Sequence, residues 1–435
     1  MSARVNNLLY AAGTDLLGTI RICVTMSEAI QPQALRSALA RSAVRFPYYA
    51  VRLEKQGETY VFEPNTLPFS ISPQGRTVTL GTEESNFHLF AFAYDGRRLY
   101  MDATHFVTDG NGMFPFLKTT LYYYLSELHP DADFDTTTIA LAGDPVPAEE
   151  SDDYPYPGSP LPAEPLGRMA RPEKAFQLPG QPQGYGGVDT WTSFRYTIPQ
   201  NELMAYVSSV DGSPATFIAS LMYKAIADSH PENRLPIVCG MQHQFRSALG
   251  RPLSHLCHVN IVPLVYPDRL RTRDVERLNT IARGSLILHA DDDHDILTVN
   301  EHVRNEAEIQ GMTLIQKREH MRSVIFRGIG KNTFEVSYTG RVPWSGLDRY
   351  VESVDPYFDL TLSGGLSVEI FSVNGVFSIN VMQRSGETRY TERFAALLKE
   401  NGVTFSAMPP EHFSLCGFRL PGTEKHDQSA SRPEA

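Results

Sequence analysis

The residues whose types and spacing most directly allow chemistry are Thr104-His105-Phe106-Val107-Thr108-Asp109-Gly110. A histidine is followed there, four and five positions on, by an aspartate and a glycine. Imidazole has an ordinary pKa near neutrality, so a histidine can take the proton from a hydroxyl or amine as that group attacks a carbonyl. To do so it has to present a ring nitrogen to the substrate, which a residue leaving the end of a strand can do. Asp109 and Gly110 then allow a sharp turn into a following helix, and Asp109 also suits the N-cap of that helix. The spacing alone is a weak signal in a chain with 13 histidines. The flanking elements make it specific.

Phe87 to Tyr94 and Arg97 to Thr104 read as two strands around Asp95-Gly96, a pair suited to a two-residue turn with positive φ at both positions. After the motif, Met113, Phe116, Leu117, Thr120, Leu121, Tyr124 and Leu128 recur at helical spacing, which buries one face. Upstream, Thr19 to Met26 is a β-branched strand. Pro32 opens a helix with apolar Leu35, Leu39 and Val44, and Phe46 and Pro47 close it. From about Thr136 to Thr190, proline and glycine recur too often for regular structure, and so long a loop predicts a crossover between lobes. Strand Trp191 to Ile198, a helix from about Pro214 to Ser229, and strands near Pro236 to Met241 and His258 to Val265 follow.

A second hairpin and helix then appear. Leu366 to Val373 and Val376 to Met382 flank Asn374-Gly375, and a helix runs from about Thr388 to Glu400. Two such units predict a pseudo-duplicated fold. Nine residues past the turn glycine stands His105 in the first unit and Arg384 in the second, so one reactive site per chain is expected. The predicted organisation is an N-terminal lobe over 1–135, a Pro/Gly-rich crossover over 136–190, a C-terminal lobe over 191–421, and a disordered polar tail over 422–435.

Composition narrows the function classes. A chain of 435 residues with 42% hydrophobic and 20% charged residues is long enough for two lobes of a globular protein. Its net charge of −11, with no basic run to track a phosphate backbone, argues against nucleic acid as a partner. The start has no basic-then-apolar signal sequence, and no stretch of about eighteen apolar residues offers a membrane span. Cys23, Cys239, Cys257 and Cys416 are widely spaced, which suits a reduced cytoplasmic protein. The expectation is a cytoplasmic α/β protein.

Strand, HxxxDG and helix in this order resemble the condensation-domain and chloramphenicol-acetyltransferase-like acyltransferase superfamily, over most of the chain. That resemblance implies a two-lobed α/β fold of pseudo-duplicated mixed sheets with flanking helices. It implies acyl transfer from a coenzyme A or carrier-protein thioester, as co-substrate with no permanently bound cofactor, to a small-molecule alcohol or amine. His105 would be the general base. Asp109 and Gly110 would shape the site, with Asp109 paired to an arginine. Gln244-Phe245-Arg246-Ser247-Ala248-Leu249, ahead of Val259-Asn260-Ile261-Val262-Pro263-Leu264, resembles the second-lobe arginine-then-asparagine segment and nominates Arg246 as that partner. Val336-Ser337-Tyr338-Thr339-Gly340 resembles the short strand motif of alcohol acetyltransferases. Ser337 and Asn260 are thereby candidates for the oxyanion or the cleft wall. Thr104 stands where many condensation domains have a second histidine, and no DFGWG segment is present, so the resemblance is nearest the alcohol acetyltransferase and polyketide-associated branch. Two other functions remain open: a non-catalytic binding or scaffold protein, and a stand-alone condensation domain served by an acyl carrier protein.

No metal is expected. His243, His255, Cys257 and His258 fit no standard zinc spacing, and Cys257 reads as a small hydrophobe in an apolar strand. Asp291-Asp292-Asp293-His294-Asp295 lacks the glycine and ligand spacing of a calcium loop and reads as a solvated loop between helices.

Overall fold

Alternating aromatic and small residues build the hairpin that carries His105. In the computed structural model Phe90–Asp95 pairs antiparallel with Arg98–Thr104, and Asp95 faces Arg98. The turn is therefore Gly96-Arg97, one residue later than predicted, and of these two only Gly96 takes positive φ. Glycine at the first central position alone is the II′ solution to a two-residue turn. In the second hairpin Val373 faces Val376, and Asn374 and Gly375 both have positive φ, as the sequence predicts. The structure describes residues 3–4, 8–13, 16–151, 172–180, 191–329, 331–340, 342–360 and 363–422. The predicted tail beyond 422 and much of the predicted crossover (152–171 and 181–190) lie outside them.

The His105 hairpin belongs to a five-stranded sheet, in the order Val351–Phe358, Thr19–Met26, Arg98–Thr104, Phe90–Asp95, Ile71–Pro73. Helices Pro32–Arg45 and Gly110–Leu128 cover it, burying Leu35, Leu39, Phe116, Leu117 and Leu121 in one core. Val351–Phe358 falls inside the range read as the second lobe, yet it pairs along its length with Thr19–Met26. The chain thus crosses back to the first sheet, and the lobes are not two consecutive stretches. A strand's periodicity gives its faces but not its partner, so its sequence could not show this.

The second sheet runs Val259–Tyr266, Ile237–Gln244, Phe334–Tyr338, Leu366–Val373, Val376–Gln383, Trp191–Pro199, with short strands at Ser406–Ala407 and Glu411–Phe413 against the last. Its two faces differ in chemistry. Met241, Val336, Val368, Ile370, Ile379 and Phe194 point to a core shared with helices Pro214–Ser229, Val275–His289 and Arg389–Glu400. Each such buried side chain contributes roughly 1.5–3 kcal/mol. By the alternation of strands, the opposite face carries Gln242, Glu335, Ser337, Ser367, Glu369, Ser378 and Asn380.

That polar face meets the strand that crossed. Asp355 accepts from Arg195 Nη1 at 2.5 Å and from Ser378 Oγ at 2.7 Å, and Asn380 Nδ2 donates to Pro356 O at 3.0 Å. Phe371, Val373 and Met382, from the same face, join the core of the first sheet. No helix among the described residues is long and apolar enough to cross a membrane.

Candidate active site

His105 is the residue after the Arg98–Thr104 strand, and its backbone N–H donates to Gly18 O at 2.6 Å. Gly18 N–H in turn donates to Asp359 Oδ2 at 2.9 Å, just past the end of the crossing strand. The half-buried His105 ring lies edge-on to Phe358, with centroids 5.3 Å apart. Its Nδ1 stands 3.1 Å from Thr108 O and 3.3 Å from Cys257 Sγ. A carbonyl can only accept, so Nδ1 carries the proton and Nε2 holds the lone pair. Among the described residues no hydrogen bond engages Nε2. The neighbours of His105 thus come from both sides of the 136–190 segment.

Asp109 points away from His105. It caps the Gly110–Leu128 helix through the Gly112 N–H at 3.0 Å, and it also receives Arg246 and the His258 N–H, the latter at 3.0 Å. A single nitrogen, Arg246 Nη2, reaches both carboxylate oxygens at 2.8 Å. Arg246 Nε goes to Ser254 O at 2.7 Å, and Nη2 also to Leu256 O at 2.7 Å. Arg246 therefore holds both the motif aspartate and the 254–256 loop that leads to Cys257. Both partners are buried. Burial opposes the Asp109 charge, but Arg246 and the two backbone donors outweigh it and hold its pKa below the usual carboxylate range.

Gly112 is required by close approach. A Cβ there would sit 2.0 Å from His255 O and 2.3 Å from Thr108 Oγ1. The same carbonyl accepts from Thr108 Oγ1 at 2.7 Å and from Tyr49 OH at 2.9 Å. At Gly110 a Cβ would meet only Thr339 Oγ1, at 3.8 Å, an ordinary contact. Beyond His255 a buried relay begins: its Nδ1 lies 2.5 Å from Tyr48 OH, Tyr48 donates to Glu150 at 2.8 Å, and Glu150 takes a forked pair from Arg45 at 2.6 and 2.7 Å. Burial pushes His255 down to about 4, so its ring is neutral.

Ser337 and Asn260 are placed differently from each other. Ser337 is on the polar inner face and its hydroxyl bonds the carboxyl of Glu369. Asn260 faces His243 in the strand register, on the side of the sheet opposite Gln242, and its Oδ1 accepts from the Ile261 N–H at 2.7 Å. No contact brings Asn260 to His105 among the described residues.

The remaining residues weighed for metal are dispersed. His243 pairs with Asp295 at 2.9 Å, and His258 with Ser254 at 2.9 Å. Asp291 caps the helix Asp292–Ile309 rather than lying in a loop between helices. Cys257 is not in a strand, since the strand begins at Val259, and its thiol lies against His105.

Two residues that the sequence reading passed over border the site. Glu335 and Glu369 are buried on adjacent strands of the inner face, within electrostatic range of the His105 ring. Each is the one charged residue in its strand, Phe334–Tyr338 or Leu366–Val373. A charge inside a buried strand was the signal that could have found them.

No protein-family model and no curated protein matches this chain. Solved structures do. TRI101 of F. graminearum, complexed with coenzyme A and deoxynivalenol, superposes with a TM-score of 0.62 at 10% identity over 94% of this chain and 99% of that one. Polyketide synthase associated protein 5 from Mycobacterium tuberculosis gives 0.59 at 12% identity over 92% and 98%. The first condensation domain of the CDA synthetase gives 0.55 at 14% identity over 92% and 96%. At such identities the likeness establishes the fold. This chain shares the two-lobed α/β architecture of those structures.

Proposed function

We propose that this protein is an acyltransferase that moves an acyl group from a coenzyme A or carrier-protein thioester to an alcohol or amine, with His105 as general base. The observation that carries the reading is the hydrogen bond from His105 Nδ1 to Thr108 O. It fixes the tautomer and orients the ring, leaving Nε2 as a base that needs no further rearrangement. The acceptor's O–H or N–H proton passes to Nε2 as its heavy atom bonds to the thioester carbonyl carbon. The tetrahedral oxyanion then collapses, the C–S bond breaks, and the thiolate leaves with the proton from the imidazolium.

Asp109 takes no part in proton transfer on this reading. It braces the turn through Arg246, the His258 N–H and the Gly112 N–H. Ser337 has its hydroxyl on Glu369, so it serves the cleft wall before it could serve an oxyanion. Coenzyme A in TRI101, and ethyl coenzyme A in another TRI101 crystal, support the donor class. Condensation domains among the structural neighbours keep a carrier-protein thioester as the alternative donor.

The test is release of free thiol from acetyl-CoA in the presence of panels of alcohols and amines. Acceptor-dependent release by the wild type, lost in His105→Ala, is the expected result. No release by the wild type with any acceptor, whether from acetyl-CoA or from an acetylated carrier, would leave a binding protein with this fold.

A further inference from the structure

We infer that Glu335 and Glu369 select the acceptor, which carries a basic amino group held between the two carboxyls as an ammonium ion. The inference rests on the acyltransferase reading of the His105 site and narrows its acceptor.

The first support is placement. Phe334–Tyr338 and Leu366–Val373 are parallel neighbours, with Glu335 opposite Ser367 and Ser337 opposite Glu369. Both carboxyls therefore project from the inner face, two positions apart along the sheet, beside Gln242. Thr339, just beyond that strand, places its Oγ1 3.8 Å from where a Cβ on Gly110 would stand, near the start of the HxxxDG helix. The carboxyls thus lie on the wall that borders His105, within electrostatic range of its ring.

The second support is an excess of acceptors over donors. Glu335 receives Asn332 Nδ2 at 3.2 Å and Gln242 Nε2 at a long 3.5 Å. Glu369 receives Ser367 Oγ at 3.2 Å and the Ser337 hydroxyl. Every one of these donors is neutral, and among the described residues no lysine or arginine forms an ion pair with either carboxyl. Asn332, 3% exposed, places its Nδ2 on Glu335 while its Oδ1 is buried without any partner. Gly240, across the strand pair, leaves the room that the Asn332 side chain fills.

Such a group is costly to bury with both carboxyls ionised, because two carboxylates and a carbonyl lose water and gain no cation. Burial pushes both Glu335 and Glu369 up to about 7, with each other's charge as a lesser cause for Glu335. An ammonium ion supplies what is missing. It brings one positive charge and three N–H donors, for two carboxyls and one amide oxygen. A polyol could supply hydrogen-bond donors but would leave the charge uncompensated. The chemistry favours the amine.

The experiment is titration calorimetry near neutral pH with diaminobutane and, as the isosteric uncharged probe, butanediol. It uses the full-length wild type, Glu335→Gln and Glu369→Gln, with folding of the variants checked by circular dichroism. Diaminobutane is expected to bind the wild type at least about tenfold more tightly than butanediol, and each glutamine variant to lose most of that preference. Equal binding of the two probes, no binding of the diamine, or an unchanged preference in folded variants would overturn the inference. The wild-type comparison alone decides if a variant does not fold. Thiol release from acetyl-CoA on the same preparation separates the two readings. Release without any preference for amines keeps the acyltransferase and sinks the amine site. Selective diamine binding without release does the reverse.

Discussion

Arg246 Nη2 lies 2.8 Å from both carboxylate oxygens of Asp109, a residue 137 positions earlier in the chain. One nitrogen spans the pair, in place of the two parallel bonds of a forked geometry. The remaining contacts of Arg246 go to Ser254 O and Leu256 O, so the loop before Cys257 and the turn after His105 share one cation.

Asp109→Ala should therefore lose stability and activity together, because it strands a buried guanidinium, at a cost of roughly 3–5 kcal/mol. The pH dependence follows from the lowered Asp109 pKa. A depressed carboxyl stabilises the fold above its unfolded pKa of about 3.9, and that stability is lost as pH falls through the folded value. Asp109→Asn keeps an N-cap oxygen but should remove this acid-limb component. Thermal unfolding of wild type and Asp109→Asn over the acidic range checks it, and parallel curves would refute the linkage.

His105→Ala should behave differently. Its ring meets the Thr108 carbonyl and the Cys257 thiol through Nδ1 and forms no ion pair among the described residues, so the melting temperature should stay close to wild type. Loss of the general base should lower kcat by about a hundredfold or more. Steady-state thiol release together with a melting curve separates this variant from Asp109→Ala.

Much of this site was legible in the sequence because its signals are local. A hairpin, a histidine at the strand end, a cap at Asp109 and a helix with Phe116, Leu117 and Leu121 on one face all lie within about forty residues of chain. Arg246 was reachable only by resemblance, since nothing in Gln244-Phe245-Arg246 itself names a partner in the first lobe. Glu335 and Glu369 were missed because each sits singly in a strand, and only the parallel register sets them side by side. The crossing of Val351–Phe358 into the first sheet was hidden for the same reason. Cys257 reads as a small hydrophobe, and only the fold of the 254–258 loop puts its thiol against His105.

Glycine substitutions should separate steric need from motif identity. Gly112→Ala drives a Cβ to within 2.0 Å of His255 O, a backbone atom that cannot swing away. A loss of roughly 1–3 kcal/mol or more is expected, with reduced activity as the Thr108 and His255 contacts shift. Gly110→Ala meets only an ordinary contact and gains helix propensity, so stability should hold or rise by up to about 1 kcal/mol. Equal damage from both substitutions, measured by thermal melts, would contradict this account.

The last prediction concerns the two buried glutamates and runs opposite in sign to Asp109. Burial raises the folded-state pKa of Glu335 and of Glu369 to about 7, against about 4.3 in an unfolded chain. A raised carboxyl contributes its stability in full below the unfolded value and loses it as pH rises through the folded one. The wild type should therefore weaken between about pH 5 and pH 8, as the unfolded chain ionises both groups and the folded chain resists. Replacing both with glutamine removes the ionisation while nearly conserving shape. The double variant should gain relative to the wild type with rising pH, by an amount on the order of 5 kcal/mol across that range for the two groups together. Denaturant unfolding at intervals between those limits measures the difference. If it stays flat with pH, the two carboxyls do not titrate near neutrality. Saturating diaminobutane should narrow the gap at the upper end, because an ammonium ion bound between Glu335 and Glu369 stabilises the ionised pair in the folded state only.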